Sequence, residues 1–130
     1  MAYWLVKSEP DAWSWDEQVK AGAKGTPWTG VRNHAAKLNL MKMKKGERAF
    51  FYHSGEDKAI VGIVEVIRTA YPDPTAADGD WSMVDVIAVE ALPKPVTLAD
   101  IRANEMLSQM VLVKNSRLSV QSVTDAEWKL

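Results

Sequence analysis

Two long runs rich in β-branched residues lie close together in the middle of the chain, and they limit the folds that it can adopt. "AIVGIVEVIRTAY" covers residues 59–71 and "WSMVDVIAVEAL" covers residues 81–92, with the acidic turn "PDPTAADGD" between them. Such runs favour strands, and the nearly continuous apolar character of the first run indicates that both of its faces are buried. "ERAFFYHS", at residues 47–54, predicts a further strand that forms a hairpin with the first run. The pattern therefore favours an antiparallel-dominated sheet.

Short helices and further strands are predicted on both sides of this central region. "AYWLV" near the start and "RLSVQSV" near the end are typical of strands. A Ser or Thr followed three residues later by an acidic side chain is the capping-box pattern that begins a helix. Three pairs fit it: Ser14 with Glu17, Thr97 with Asp100, and Thr124 with Glu127. We expect helices at residues 15–21, through Ile101 to Leu107, and at the C-terminus.

A fourth helix is predicted after Asn33, which is a plausible N-cap. Ala36, Leu40 and Met43 follow at i, i+4 and i+7 and form one apolar stripe. With 130 residues the chain is expected to form a single domain, residues 1–130, with a substantial core. The predicted fold class is α+β: a mixed, mainly antiparallel β barrel surrounded by short helices.

The composition excludes several classes of function. Cysteine is absent and there are only two histidines, His34 and His53, neither of which lies in a ligand-spaced cluster, so no metal site is expected. No segment reaches the roughly 18 apolar residues that span a bilayer. Neither GxxxxGK[ST] nor GxGxxG follows a strand, so no nucleotide cofactor is expected. We expect a soluble, cytoplasmic monomer without cofactor or membrane partner.

Positive charge is concentrated in the first third of the chain. The formal net charge is -1, which argues against bulk electrostatic binding of nucleic acid. Residues 1–48, however, contain nine Lys and Arg against five Asp and Glu, whereas residues 49–100 contain three against nine. A local basic face is therefore possible, although a solvated helix surface would give the same pattern.

Several side chains suit recognition of an unpaired base. Such bases stack on aromatic rings while Asn or Ser reads the base edge and Arg or Lys contacts the phosphates. "PWTGVRNHAAK" supplies Trp28, Arg32 and Asn33 within six residues. Later segments add five candidates of the same kind: Tyr52, Ser54, Arg117, Ser119 and Gln121. Ordinary roles remain open, because Trp28 also suits a lid on the core and Asn33 a helix cap.

A hydrolytic triad is the weaker interpretation of the polar residues. Ser8 or Ser54, His53 and Glu9 provide a hydroxyl, an imidazole and a carboxylate. No G-x-S-x-G elbow surrounds either serine, and strand alternation would point Ser54 away from His53.

Five blocks of sequence resemble the EVE domain family over essentially the whole chain. They are "YWLVKSEP", "WTGVRNHAA", "FYHS", "VGIVEV" followed by "YPD", and "RLSVQ", in the order and spacing of that family. The resemblance implies a PUA-like fold related to the YTH readers of methylated adenine in RNA. It also implies non-enzymatic binding of a modified base, with 5-methylcytosine and 5-hydroxymethylcytosine in DNA as proposed ligands.

The resemblance also implies roles for individual residues. Lys7, Ser8 and Glu9 would supply polar contacts to the base, Trp28 would be one wall of an aromatic cage, and Trp81 a second wall. Arg32 and Asn33 follow Trp28 as in the family. Two positions depart from the pattern or lie in a variable slot: Ser122, where proline is expected, and His34.

The expected function is thus binding of one modified base in DNA or RNA. The base would stack on Trp28 and bond to Asn33, Ser8 and Ser54. Backbone contacts are expected from Arg32, Arg117, Ser119, Gln121 and Lys37, together with the other lysines of residues 37–48. A separate nuclease or helicase partner would supply any downstream chemistry.

Two alternatives belong to other classes. One is an amidohydrolase of the PUA-like ASCH type, acting on a modified nucleoside through Lys7, Glu9 and either Ser8 or Thr29. The other is a protein-interaction module, which predicts an exposed apolar patch.

Overall fold

The central hairpins form as the sequence predicts, within a sheet of six strands. The structure, a computed structural model, describes residues 3–8, 13–22, 25–28, 34–54, 58–72, 82–104, 110–114, 118–124 and 127–128. The strands are β1 (Tyr3–Ser8), β2 (Thr26–Pro27), β3 (Arg48–His53), β4 (Ala59–Pro72), β5 (Ser82–Thr97) and β6 (Val120–Val123). The helices are α1 (Trp15–Lys20), α2 (His34–Lys42), α3 (Leu98–Ala103) and α4 (Val111–Lys114).

The strand order is β2-β5-β4-β3-β1-β6. Every neighbouring pair is antiparallel except β1 and β3, which run parallel. The expectation of a mixed, mainly antiparallel sheet is therefore confirmed. The parallel pair requires a long crossover, and the segment between β1 and β3 provides it with α1, β2 and α2.

The prediction that the sheet closes into a barrel is wrong for the described part of the chain. The strand order is open there, with β2 at one edge and β6 at the other. Helix α2 packs against β4, β5 and β6, so a helix rather than a strand pairing fills the space between the two ends of the sheet. Four register shifts between β4 and β5 bend these long strands around the helix.

Strand alternation divides the core into two faces. The α2 face contains Trp4, Val6, Ala49 and Phe51 from β1 and β3, packed with residues of α2. The α3 face contains Leu5 and Tyr52, packed with Ile101 of α3 and with Met110 and Leu112. The predicted stripe of α2 is confirmed, because Ala36, Leu40 and Met43 are all buried on the α2 face.

The helix starts follow the capping boxes. Ser14 and Glu17 form a complete box at α1, and Thr97 and Asp100 form one at α3. The backbone N–H of Thr124 donates to Glu127 Oε1 at 3.0 Å, and the Glu127 N–H donates to Thr124 Oγ1 at 3.1 Å.

Two helix ends differ from the sequence prediction, and one helix was not predicted. Helix α1 ends at Lys20 and α3 ends at Ala103, before the expected Leu107, which is outside the described residues. Helix α4 was not predicted at all. None of the helices in the described part of the chain has the length and apolar character needed to cross a bilayer.

Gly62 gives a direct test of packing on the α2 face. A Cβ at this position would lie 2.4 Å from Cη2 of Trp15 and 2.5 Å from two further atoms of that ring, and Gly62 is not among the residues with positive φ. We expect Gly62→Ala to lower the free energy of unfolding by about 1 to 3 kcal/mol, because the indole must move. Urea unfolding measures this change.

The matched control is the same substitution in a Trp15→Phe background. Phenylalanine lacks the outer ring atoms that the new methyl group would meet, so Gly62→Ala should cost less there. Wild-type stability of Gly62→Ala would contradict this packing.

Candidate nucleic-acid interface

The candidate site lies at the carboxyl ends of β1 and β3. Their parallel register places Lys7 opposite Tyr52 and Ser8 opposite His53. Because successive strand residues face opposite sides, Ser8 and His53 belong to the α2 face and Lys7 and Tyr52 to the α3 face. Lys7 and Ser8, which were both predicted to contact the base, are thus neighbours in the chain but face opposite sides of the sheet.

Aromatic rings form the wall of the α2 face near this end. Trp28 meets Phe51 edge to face with ring centroids 5.5 Å apart, and Trp15 meets Phe51 in the same manner at 5.4 Å. The Trp28 backbone N–H donates to the Val84 carbonyl at 2.7 Å. Trp28 is only 7% exposed, so its ring covers the core as it stands. This placement matches the role of a lid on the core, which the sequence analysis left open for Trp28.

A polar network surrounds these rings. Trp13 Nε1–H donates to Gln18 Oε1 at 2.9 Å, and Gln18 Nε2 donates to the Val86 carbonyl at 3.2 Å. The Ser8 hydroxyl donates to the Trp13 carbonyl at 2.6 Å. Helix α1, fixed by its capping box, therefore ties β1 and β5 to the segment that carries Trp13.

His53 is part of the same network. Its Nε2 accepts the Trp15 backbone N–H at 3.0 Å, and its ring meets Phe51 edge to face at 5.6 Å. A triad would require the Ser8 hydroxyl to donate to this imidazole, but that hydroxyl donates to a backbone carbonyl. The bonds of both residues thus favour a structural role over nucleophilic catalysis.

Lys7 and Tyr52 form a separate group on the α3 face. The Lys7 Nζ lies 5.6 Å from the centroid of the Tyr52 ring. Burial lowers the pKa of the Lys7 ammonium group. Burial also raises the pKa of Tyr52, and the positive charge of Arg102 partly offsets that rise. Lys7 and Ser8 face opposite sides, so the structure does not bring together one of the two Lys–hydroxyl pairs that the amidohydrolase alternative offered. Thr29, the other hydroxyl, and Glu9 lie outside the described residues.

The remaining described candidates are scattered. The Ser119 carbonyl accepts the Lys7 N–H at 2.9 Å, and the Ser54 N–H donates to the Ser8 carbonyl at 2.9 Å, so both serines adjoin the β1 end. Gln121 is fully buried in β6, where its Nε2 donates to the Leu118 carbonyl at 2.7 Å. As placed, Gln121 has no surface to offer a phosphate. Lys37 lies half-buried on α2.

Six predicted site residues lie outside the described part of the chain: Glu9, Thr29, Arg32, Asn33, Trp81 and Arg117. Their roles stay predictions. Among the described residues, no three His, Cys, Asp or Glu side chains are grouped so that they could hold a metal ion.

Trp13 and Gln18 were missed as members of the site by the sequence prediction. A signal for Gln18 was present, since it lies three residues after Trp15 and therefore on the buried side of a short helix. A fully buried amide in that position must bond to something.

Fold and site together define a class of protein: a small α+β domain with an aromatic wall and a buried polar network at the ends of two parallel strands. The family model of the EVE domain matches residues 2–130. The chain belongs to the EVE domain family.

Several proteins are similar to this chain over most of its length. Human thymocyte nuclear protein 1 is 35% identical over 98% of this chain and 71% of its own length. The chain spans about two thirds of the curated relatives that it matches, with 65% for the chicken protein. A crystal structure from Agrobacterium tumefaciens is 50% identical, with a TM-score of 0.96 over 98% of this chain and 88% of that one.

One similar structure contains a ligand. It is human THYN1 in complex with DNA containing 5-methylcytosine, and it is 34% identical with a TM-score of 0.90 over 99% of this chain and 94% of that one. A YTH domain matches with a TM-score of 0.59 at 15% identity, covering 100% of this chain and 92% of that one, and so shares the fold. The expected relationship to YTH domains is therefore confirmed at the level of fold.

The buried amide of Gln18 can be tested by removing its polar atoms. Gln18→Leu keeps the approximate volume but leaves the Trp13 indole N–H and the Val86 carbonyl without this partner. We expect a loss of about 2 to 4 kcal/mol in the free energy of unfolding and a shifted Trp13 indole resonance in NMR spectra. Urea unfolding measures the first effect.

Glu17→Gln is the matched control, because Glu17 is exposed and glutamine preserves the capping box. It should change stability by less than about 0.5 kcal/mol. Equal stabilities of the two variants would show that the Gln18 bonds do not hold the network.

Proposed function

We propose that this chain binds a modified base in DNA, such as 5-methylcytosine. The base would leave the DNA double helix and enter the α2 face of the protein at the ends of β1 and β3. The observation that carries the proposal is the complex of human THYN1 with 5-methylcytosine DNA, since that protein matches 99% of this chain with a TM-score of 0.90. The aromatic wall and polar network on the α2 face supply the chemistry that a flat, hydrogen-bonding ligand requires.

In this proposal Trp28 provides the stacking surface. Its ring is edge-on to Phe51 and mostly covered, so a base can stack on it only where one face is accessible in the complex. Trp81 would be the opposite wall, and Asn33, Ser8, Ser54 and Glu9 would bond the base edge. The methyl group of a modified cytosine would contact aromatic carbon, which favours it over the unmodified base.

Lys7 takes a different part in the proposal from the one that the family resemblance implies. It lies on the α3 face of the strand end, across the sheet from the base. Its contribution is then to the nucleic-acid backbone rather than to the base edge, whereas the Tyr52 side chain is buried in the core of the α3 face. Arg32, Arg117, Lys37 and the other lysines of residues 37–48 would add further phosphate contacts, with Ser119 beside them.

Binding to modified RNA, a monomeric state, a cytoplasmic location and a separate nuclease or helicase partner remain parts of the proposal. Competition with modified RNA separates the two nucleic acids, and size-exclusion chromatography reports the oligomeric state.

The stacking role of Trp28 is tested by Trp28→Phe. This change keeps an aromatic ring in the core and reduces the stacking area, whereas alanine would leave a large cavity in the fold. We expect roughly a threefold to tenfold weaker affinity for a single-stranded oligonucleotide with one 5-methylcytosine, a fraction of the 1 to 3 kcal/mol that a stacked base contributes. Fluorescence anisotropy at fixed salt measures the affinity.

The matched control is Trp128→Phe, the same change on the α3 face, where Trp128 stacks on Phe50. It should leave the affinity unchanged. The proposed site would be wrong if folded Trp28→Phe bound the modified oligonucleotide as tightly as wild type, or if Trp128→Phe gave the larger loss.

A further inference from the structure

A cavity lies on the α3 face, across the sheet from the proposed base site. Its volume is about 220 Å³. Aliphatic side chains from three elements form its walls, among them Ile60 and Ile63 of β4, Leu92 of β5 and Ile101 of α3. Among the lining residues that the structure describes, Glu127 is the charged one. The base site and this cavity therefore share the sheet but none of the residues described above for the base.

Stacked aromatic rings form one side of the cavity. Trp128 stacks on Phe50 with ring centroids 4.1 Å apart and on Tyr3 with centroids 4.3 Å apart. The bonds between Thr124 and Glu127 fix the turn that carries Trp128. Because rings and turn support one another, the walls cannot collapse into the cavity without loss of these contacts.

The volume restricts the occupant. Sites for drug-sized ligands measure about 300 to 1,000 Å³. An apolar cavity of about 150 Å³ in another protein is known to hold benzene. A volume between these values suits one or two fused rings.

The charge in the lining restricts the occupant further. Glu127 Oε1 accepts the Thr124 N–H, and the acceptor capacity that remains on this carboxylate, beside apolar walls, favours a ligand that offers an N–H or an ammonium group. An anionic ligand of the same size would be repelled.

We propose that this cavity is a second ligand site, which takes a compact aromatic heterocycle or arylalkylamine of about the size of indole. The ring lies among the aliphatic walls and beside Trp128, and the N–H or ammonium group points to Glu127. The two sites are on opposite faces, so both can be occupied at once.

The test is an NMR titration of the free protein with indole and with tryptamine, with no nucleic acid present. We expect saturable shifts of the Trp128 indole resonance at millimolar or lower ligand concentration, while the Trp13 and Trp28 resonances stay in place. Tryptamine should bind several-fold more tightly than indole. The absence of a saturable Trp128 shift with either ligand would overturn the proposal, whatever the outcome for nucleic acid.

Glu127→Gln isolates the contribution of charge. Glutamine still satisfies the capping box, so the turn is retained while the negative charge is lost. The preference for tryptamine over indole should disappear in this variant. An unchanged preference would show that Glu127 does not contact the amine.

A pair of valines on β5 provides the matched steric test. Val96 lines the cavity and Val89 does not, yet both are 37% exposed. Val96→Trp should fill the mouth of the cavity and weaken indole binding at least tenfold, while Val89→Trp should change it less than twofold. Equal effects of the two substitutions would overturn the assignment, and urea unfolding checks that each variant folds.

Discussion

Parallel hydrogen bonding between β1 and β3 sets the position of almost every residue discussed above. The register of these strands fixes Lys7 opposite Tyr52 and Ser8 opposite His53. Because side chains alternate along a strand, a shift of one residue would exchange the contents of the two faces. The separation of a polar, aromatic site on the α2 face from an apolar cavity on the α3 face follows from this one register.

Helix α2 covers the apolar side of the open sheet. Its buried stripe packs on β4, β5 and β6, so the apolar interior is covered although the strand order does not close in the part of the chain that the structure describes. Gly62 allows the Trp15 ring to lie directly on the β4 backbone, which brings α1 close to the sheet. The segment that carries Trp13 and Trp15 is then tied to β3 and β5 through His53 and Gln18.

The parts of the fold that depend on local sequence were predictable. The capping boxes at Ser14 and Thr97 mark the starts of α1 and α3, the predicted box of Thr124 and Glu127 forms both of its bonds, and the two central β-branched runs form β4 and β5. Each of these signals acts over a few residues. Helix α4 has no capping pair or clear stripe and was not predicted.

The parts that depend on contacts between distant segments were not predictable. No local pattern specifies that β1 pairs with β3 in parallel, or that a helix replaces barrel closure. The sequence prediction placed Lys7 and Ser8 in one pocket, but adjacent residues of a strand face opposite sides of the sheet. Trp28 illustrates the ambiguity that remains, because an aromatic residue beside polar groups suits both a core lid and a stacking surface.

The central claim is that a modified base enters on the α2 face. The six tryptophans provide natural reporters, because their indole N–H resonances can be assigned individually. NMR spectra with two oligonucleotides that differ only in one cytosine methyl group test the claim most directly. The account predicts that the difference between the two complexes appears at Trp13, Trp15 and Trp28 and not at Trp128. A methyl-dependent shift confined to Trp128, or no methyl-dependent shift at all, would contradict it.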